Sequence, residues 1–282
     1  MIELFQRQIV KCRTPNEINR LHIALENRIT PLEFVALSKI ISDRYSSTQN
    51  VAWLEKLSRQ LNLSHKPQPE RYIRTRIKSN MCLYSDQTPR SDKVLAICFS
   101  GGARRLQMPI PTFLQHLSAS RVDVILLQRH HNWNYNNGLG GLADSFETLI
   151  NVIGQVIKSL NYKSAVTYGT SGGGLPALVT AIYLGLDKGV AIGAASVESD
   201  RWRFLKETVR FQQAVERYDG KPKLVSVFGA DFERDARAAA DLRRYFPTEF
   251  WAIPGEARHG AIQKYLRSGE LGSFLSTVLF GQ

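Results

Sequence analysis

The sequence predicts an α/β fold with a mostly parallel, doubly wound sheet, preceded by a small N-terminal helical segment. Three observations carry this. From about residue 93 to the end, short apolar runs alternate with segments of helical period, the pattern of strands and crossover helices. The run KVLAICF at 93–99 is almost continuously apolar, as expected of a strand buried on both faces. The stretch SAVTYGTSGGGLPALVTA at 164–181 joins a β-branched and aromatic run to a helical one through Gly169-Thr170-Ser171-Gly172-Gly173.

The elements follow in order. Residues 1–64 read as helical. Thr14-Pro15-Asn16-Glu17 and Thr30-Pro31-Leu32-Glu33 each combine an N-cap threonine, an early proline and an acid at the third position, the signature of a capped helix start. A third helix is expected over 51–61. The polar SHKPQPE at 64–70 reads as a linker, which divides the chain into a helical segment at 1–66 and an α/β domain at 71–282. Edge strands or a hairpin are expected at 72–77 and 81–84. Strands follow at 93–99, 122–127, 165–168, 189–196, 223–229 and 249–253. Helices are expected at 111–118, 144–160, 174–184, 202–218, 234–245, 261–267 and 271–279.

Composition bounds the function. The chain has 282 residues, 43% of them hydrophobic, enough for an ordinary core. No apolar run of about 18 residues exists, so no transmembrane helix is expected. The opening MIELFQRQIVKCR holds acid and base inside its apolar run and lacks a small-residue cleavage site, which argues against a secretion signal. Cys12, Cys82 and Cys98 have no metal-like spacing, and a reducing cytoplasm is the expected location. The formal net charge is +12, and residues 1–90 carry 15 Lys and Arg against 8 Asp and Glu. That bias favours an acidic partner, whether an anionic glycan, an acidic surface or a protein docking on the basic N-terminal helices. No zinc-finger or RNA-binding signature accompanies it, so nucleic acid is not expected.

The chemistry centres on Ser171. A serine on so tight a strand-to-helix turn needs neighbours without side chains, and Gly169 and Gly173 meet that need. Gly172 places an N–H at a helix start, where it has no intrahelical partner and can face an oxyanion. The same stretch holds Gly172-x-Gly174-x-x-Ala177, a dinucleotide-like pattern. It is out of register with the strand end, and no acid closes the next strand at the required place. A serine nucleophile needs a base, and the base a carboxylate. His259 is the only histidine after Ser171. Asp231 lies nearest the end of the preceding strand; Asp235 is the alternative, and Glu233 a weaker one. Ser100-Gly101-Gly102-Ala103 follows an earlier strand, where a second oxyanion donor belongs. The loop at 129–142, with His130 and His131, is a candidate pocket wall in which Trp133 and Tyr135 can stack on a sugar face and the Asn residues can hydrogen-bond its hydroxyls. Residues 196–218, with Trp202 and Phe204, are a candidate lid.

Taken together, residues 90–282 resemble the α/β-hydrolase superfamily, in which Gly-x-Ser-x-Gly forms the nucleophile elbow. The Gly-Gly loop, the Trp/Tyr/Asn-rich segment after Arg129 and the late Gly…His are loosely similar to bacterial hydrolase-like proteins associated with surface polysaccharide systems. The resemblance implies a Ser171–Asp231–His259 triad, with Gly172 and either Gly102 or Ala103 donating to the oxyanion. It implies a serine esterase or acyltransferase that acts on a small-molecule or glycan acyl ester without metal or organic cofactor. His130-His131 departs from the pattern, since an acid is expected beside the arginine. The competing readings are a non-catalytic hydrolase-fold binding protein and a dinucleotide-binding protein.

Overall fold

A computed structural model describes all residues except 79, 103, 129–134, 200, 201, 203–208 and 282. Four helices open the chain: α1 (Ile2–Ile9), α2 (Pro15–Glu26), α3 (Pro31–Arg44) and α4 (Thr48–Asn62). Both threonine starts form full capping boxes. Thr14 Oγ1 accepts from the Glu17 N–H at 3.3 Å and Thr30 Oγ1 from that of Glu33 at 3.1 Å; each glutamate accepts in return from the threonine N–H. The helix α1 lies within the stretch read as helical but carries no start signal of its own in the sequence. Its apolar positions Phe5 and Ile9 are buried with Leu21, Leu25, Phe34, Leu37, Trp53 and Leu57, so tertiary burial holds a helix too short to stand alone.

Eight strands form one sheet: β1 (Ile73–Lys78), β2 (Met81–Ser85), β3 (Val94–Phe99), β4 (Val122–Leu127), β5 (Ser164–Thr170), β6 (Lys188–Ile192), β7 (Lys223–Gly229) and β8 (Thr248–Ile253). Their spatial order is β1-β2-β4-β3-β5-β6-β7-β8. Pairing is antiparallel on both sides of β2 and parallel from β4 to β8, so β2 alone runs against the rest. Alternation sorts the core into two layers. Ala96 and Cys98 face one layer, with α5 (Ile110–Gln115) and the closing helix α11 (Leu271–Phe280); α10 (Gln263–Ser268) precedes α11. Leu95, Ile97 and Phe99 face the other, with α6 (Phe146–Leu160) and α7 (Gly174–Leu184). On that second side α8 (Val209–Arg217) and α9 (Glu233–Arg243) follow β6 and β7.

The winding direction changes at β3 and β5. From β3 the chain crosses to β4 on one side, and from β5 to β6 on the other, while β3 and β5 themselves pair from Val94↔Ser164 to Phe99↔Gly169. Loops leaving such neighbours diverge and open a crevice at their carboxyl ends. The loop after Phe99 and the turn at Ser171 flank that crevice.

The expected linker at 64–70 is a strap bonded to α5. Gln115 Nε2 donates to Ser64 Oγ and to the Gln68 carbonyl, both at 3.2 Å, and Gln115 Oε1 accepts from the Glu70 N–H at 2.9 Å. Its composition is that of a loop, but its polar groups have fixed partners. Trp202, expected in a lid, is fully buried in the second core layer; Phe204 lies outside the described residues.

Candidate active site

Ser171 follows β5 directly and begins a single turn of 3-10 helix that runs into α7. Its φ is +51°, a left-handed conformation that is strained for a residue with a Cβ. The surrounding glycines are sterically required. A Cβ on Gly169 would lie 2.0 Å from the Gly173 carbonyl oxygen, and one on Gly173 would lie 2.4 Å from that of Phe99. The turn can therefore press against the end of β3 only without those side chains.

Ser171, Asp235 and His259 line one cavity of about 320 Å³, together with Ala194, Ala195, Ser196, Ser199, Arg234 and Ala238. His259 Nδ1 lies 2.9 Å from Asp235 Oδ2 and 3.1 Å from Oδ1. A carboxylate can only accept, so Nδ1 carries the proton of this contact, and in the neutral ring Nε2 then holds the lone pair. Asp235 is 3% exposed whereas the His259 side chain is 44% exposed, so the acid is sheltered and the base faces the cavity.

The carboxylate beside His259 is thus Asp235 and not Asp231. The reason is helical phase. Asp235 lies in the first turn of α9 on the same face as the buried Ala238, Ala239 and Leu242, a spacing of three, four and seven residues. Asp231 precedes the helix and is exposed; its N–H donates to the Glu256 carbonyl at 3.2 Å.

Two positioning residues were not expected from the sequence. Gly193 closes β6 with φ +52°, and a Cβ there would lie 2.8 Å from Asp235 Oδ2. Gln107 donates from Nε2 to the His259 carbonyl at 3.0 Å, and its own carbonyl accepts from Gln263 Nε2. A glycine closing an apolar strand is a visible signal; Gln107 has none, because its partner lies 152 positions away.

The oxyanion candidates separate. Gly172 is buried in the first turn after Ser171, where its N–H has no helical carbonyl behind it. Gly101 packs against the serine, and a Cβ there would lie 3.3 Å from Ser171 Cβ. Its N–H, however, donates to the Arg105 carbonyl at 2.9 Å, so it supplies space and not a donor. Gly102 lies in the exposed turn that follows. Ala103, Trp133, His130 and His131 lie outside the described residues. Tyr135 is fully buried, with its hydroxyl donating to the Leu127 carbonyl at 3.0 Å, so it is part of the packing below the crevice. The Gly172–Gly174 segment forms the serine turn, and a Cβ on Gly174 would lie 2.7 Å from Ala194 Cβ.

No family model matches the chain, and no curated protein does. Similar solved structures include the dienelactone hydrolase from Anabaena variabilis ATCC 29413, 13% identical with a TM-score of 0.48, covering 74% of this chain and 99% of that one. They include the capsule O-acetyltransferase of Neisseria meningitidis serogroup A, 12% identical with a TM-score of 0.48, covering 69% and 91%. A third is the 2,6-dihydroxy-pseudo-oxynicotine hydrolase, 14% identical with a TM-score of 0.47, covering 83% and 74%. Independently of these likenesses, the eight-stranded sheet with its divergent crossovers, the strained serine between β5 and α7, and the order serine, aspartate, histidine give this protein an α/β-hydrolase fold.

Proposed function

We propose that the protein is a serine hydrolase or acyltransferase acting on an acyl ester through Ser171, His259 and Asp235. One observation carries the reading. A left-handed serine opens on the same cavity as a histidine whose far nitrogen is held by a buried carboxylate. Ser171 Oγ attacks the ester carbonyl as His259 Nε2 takes its proton. The tetrahedral oxyanion faces the Gly172 N–H, with Gly102 or Ala103 as the second donor. Collapse expels the alcohol, which receives the proton from His259, and leaves Ser171 acylated. Water or a sugar hydroxyl then gives up a proton to His259 and attacks the acyl group, regenerating the serine. Asp235 holds the imidazole orientation and stabilises its charged form, while Gly193 and Gln107 position Asp235 and His259.

The cavity is lined by Ala194, Ala195, Ala238, Ser196, Ser199 and Arg234 beside the three candidate catalytic residues. The test is hydrolysis of p-nitrophenyl esters from acetate to octanoate by the wild type and by Ser171→Ala, with fluorophosphonate labelling in parallel. Activity and labelling are expected to disappear together in the variant, and the chain-length profile of the wild type defines the acyl pocket. A folded wild type that neither labels nor turns over any ester would leave the fold as a binding scaffold.

A further inference from the structure

A second cavity, of about 300 Å³, is lined by Arg28, Arg74, Arg76, Asn80, Cys82 and Gln128. The sheet register places it. Arg76 on β1 stands opposite Cys82 on β2, which stands opposite Leu126, the penultimate residue of β4. The Gln128 N–H donates to the Asn80 carbonyl at 3.0 Å. The cavity therefore lies at the edge where the parallel strands end, the edge that also carries Ser171. β4 is two strand places from β5, and β1 is four. At about 4.8 Å per place, the lining residues are spread roughly 10–20 Å from the serine along that edge.

Its charge is unbalanced. The only ion pair of these arginines among the described residues joins Arg74 to Glu33 at 3.6 Å. Burial raises the Cys82 thiol pKa, and Arg74, Arg76 and Arg28 all act against that rise, so three guanidiniums bear on one spot. Three guanidiniums lining one cavity against a single paired carboxylate leave it positively charged. The frame is fixed as well. The Arg28 carbonyl accepts from Tyr84 Oη at 3.1 Å, and Gln128 Nε2 donates to the Asn27 carbonyl at 2.5 Å. Asn80 Nδ2 donates to the Gly140 carbonyl at 2.7 Å. Each amide nitrogen thus spends one N–H within the protein, and the guanidiniums are the charged groups of the lining. Their planar forks match the oxygens of phosphate or carboxylate. Three arginines less Glu33 leave two positive charges, the charge of a phosphate dianion, where a carboxylate would balance only one.

We propose that this cavity binds a phosphate group, either free inorganic phosphate or the phosphomonoester of an extended substrate whose ester reaches Ser171. The second source rests on the ester chemistry proposed above; the binding site does not. The experiment measures binding of inorganic phosphate by isothermal titration to the wild type, Arg76→Gln, Arg28→Gln and Arg76→Lys, each checked by circular dichroism. Saturable binding is expected in the wild type. Each glutamine variant removes a charged hydrogen-bonding group and is expected to weaken it about tenfold or more, with partial recovery in Arg76→Lys. Kinetics then separate the sources. If phosphate competes against an O-acetylated sugar phosphate, and Arg76→Gln raises KM for that ester with kcat held, the site anchors substrate. If phosphate instead alters kcat for p-nitrophenyl acetate in the wild type but not in Arg76→Gln, it acts as a free effector. Phosphate binding without any ester turnover would sink the hydrolase reading and leave the site standing. No saturable phosphate binding, or equal binding in the wild type and both glutamine variants, would overturn the site itself.

Discussion

Ser171 is held in a conformation that costs about 1–3 kcal/mol for a residue with a Cβ, and the contacts around it keep it there. Gly173 meets the Phe99 and Ser100 carbonyls, and Gly169 meets Gly173 and Ala177. Gly173→Ala is therefore expected to lose fluorophosphonate labelling and to unfold at lower denaturant, because its Cβ would meet backbone that cannot yield. Retained labelling at wild-type stability would refute that steric account. Asp235 allows a sharper test. Asp235→Asn keeps the shape but allows the wrong imidazole tautomer, and is expected to lower kcat roughly 10³–10⁴-fold with little change in the unfolding midpoint. Asp231→Asn, at an exposed position outside the cavity, is expected to stay close to wild type. The reverse ranking would return the acid to Asp231. The serine and the sterically required glycines are legible because they sit in one short, local pattern, and the histidine because no other follows Ser171. The choice of acid was legible in principle, in the stripe Asp235-Ala238-Ala239-Leu242, but proximity to the strand end pointed to Asp231. Gln107 could not be found, since only the folded sheet brings it to His259.

At the scale of elements, the helical segment reaches the crevice. Glu26 at the end of α2 is buried, accepts from Trp53 Nε1 at 2.8 Å and pairs with the Arg105 guanidinium. Arg105 belongs to the loop after β3, and its carbonyl accepts from the Gly101 N–H at 2.9 Å and from Thr170 Oγ1 at 3.1 Å. A chain of contacts thus runs from α4 and α2 to the residues on either side of Ser171. Removing one partner of a buried pair costs about 3–5 kcal/mol, so Glu26→Ala is expected to lower stability by an amount of that order. Glu26→Gln keeps the Trp53 acceptor and removes only the charge. It is expected to fold, with a lower kcat for p-nitrophenyl acetate and KM little changed. A folded Glu26→Gln with wild-type kcat would show that the helices do not influence the loop. The capped starts of α2 and α3 were readable from four residues each, because a capping box is a local device. The contact of Glu26 with Arg105 spans the two parts of the chain and leaves no periodic or compositional trace.

At the scale of the whole molecule, the two parts are joined by a polar seam that is sensitive to acid. The α4–α5 contact sets His116 Nε2 3.3 Å from the Gln60 carbonyl and has Thr112 Oγ1 donating to Gln60 Oε1 at 3.1 Å. Burial pushes the His116 pKa down to about 4, with Lys66 and His65 adding to the fall and the Gln60 carbonyl opposing it. The sign follows from linkage. The unfolded chain takes up this proton near pH 6.5 and the folded chain only near pH 4, so acid favours the unfolded state across that window. The contribution is complete above about pH 6.5 and is lost as the pH falls towards 4, where a difference of about 2.5 units amounts to roughly 3 kcal/mol. His22, stacked on Trp53 with ring centroids 4.4 Å apart, is lowered in the same direction by burial, against a raising hydrogen bond from Asn50. Carboxylates with lowered pKa values, Asp86 beside the buried Lys93 and the glutamates Glu17 and Glu256 among them, lose their contribution only as the pH nears the ordinary carboxylate range. Urea unfolding at pH 7 and pH 5.5 therefore isolates the histidines. The wild type is expected to lose stability between the two, and His116→Gln to lose clearly less of it. Identical losses in both proteins would place the acid sensitivity elsewhere. Hydrogen exchange in the same window is expected to rise first in α4 and α5, because the seam joining the helical segment to the sheet contains the histidine that must be charged.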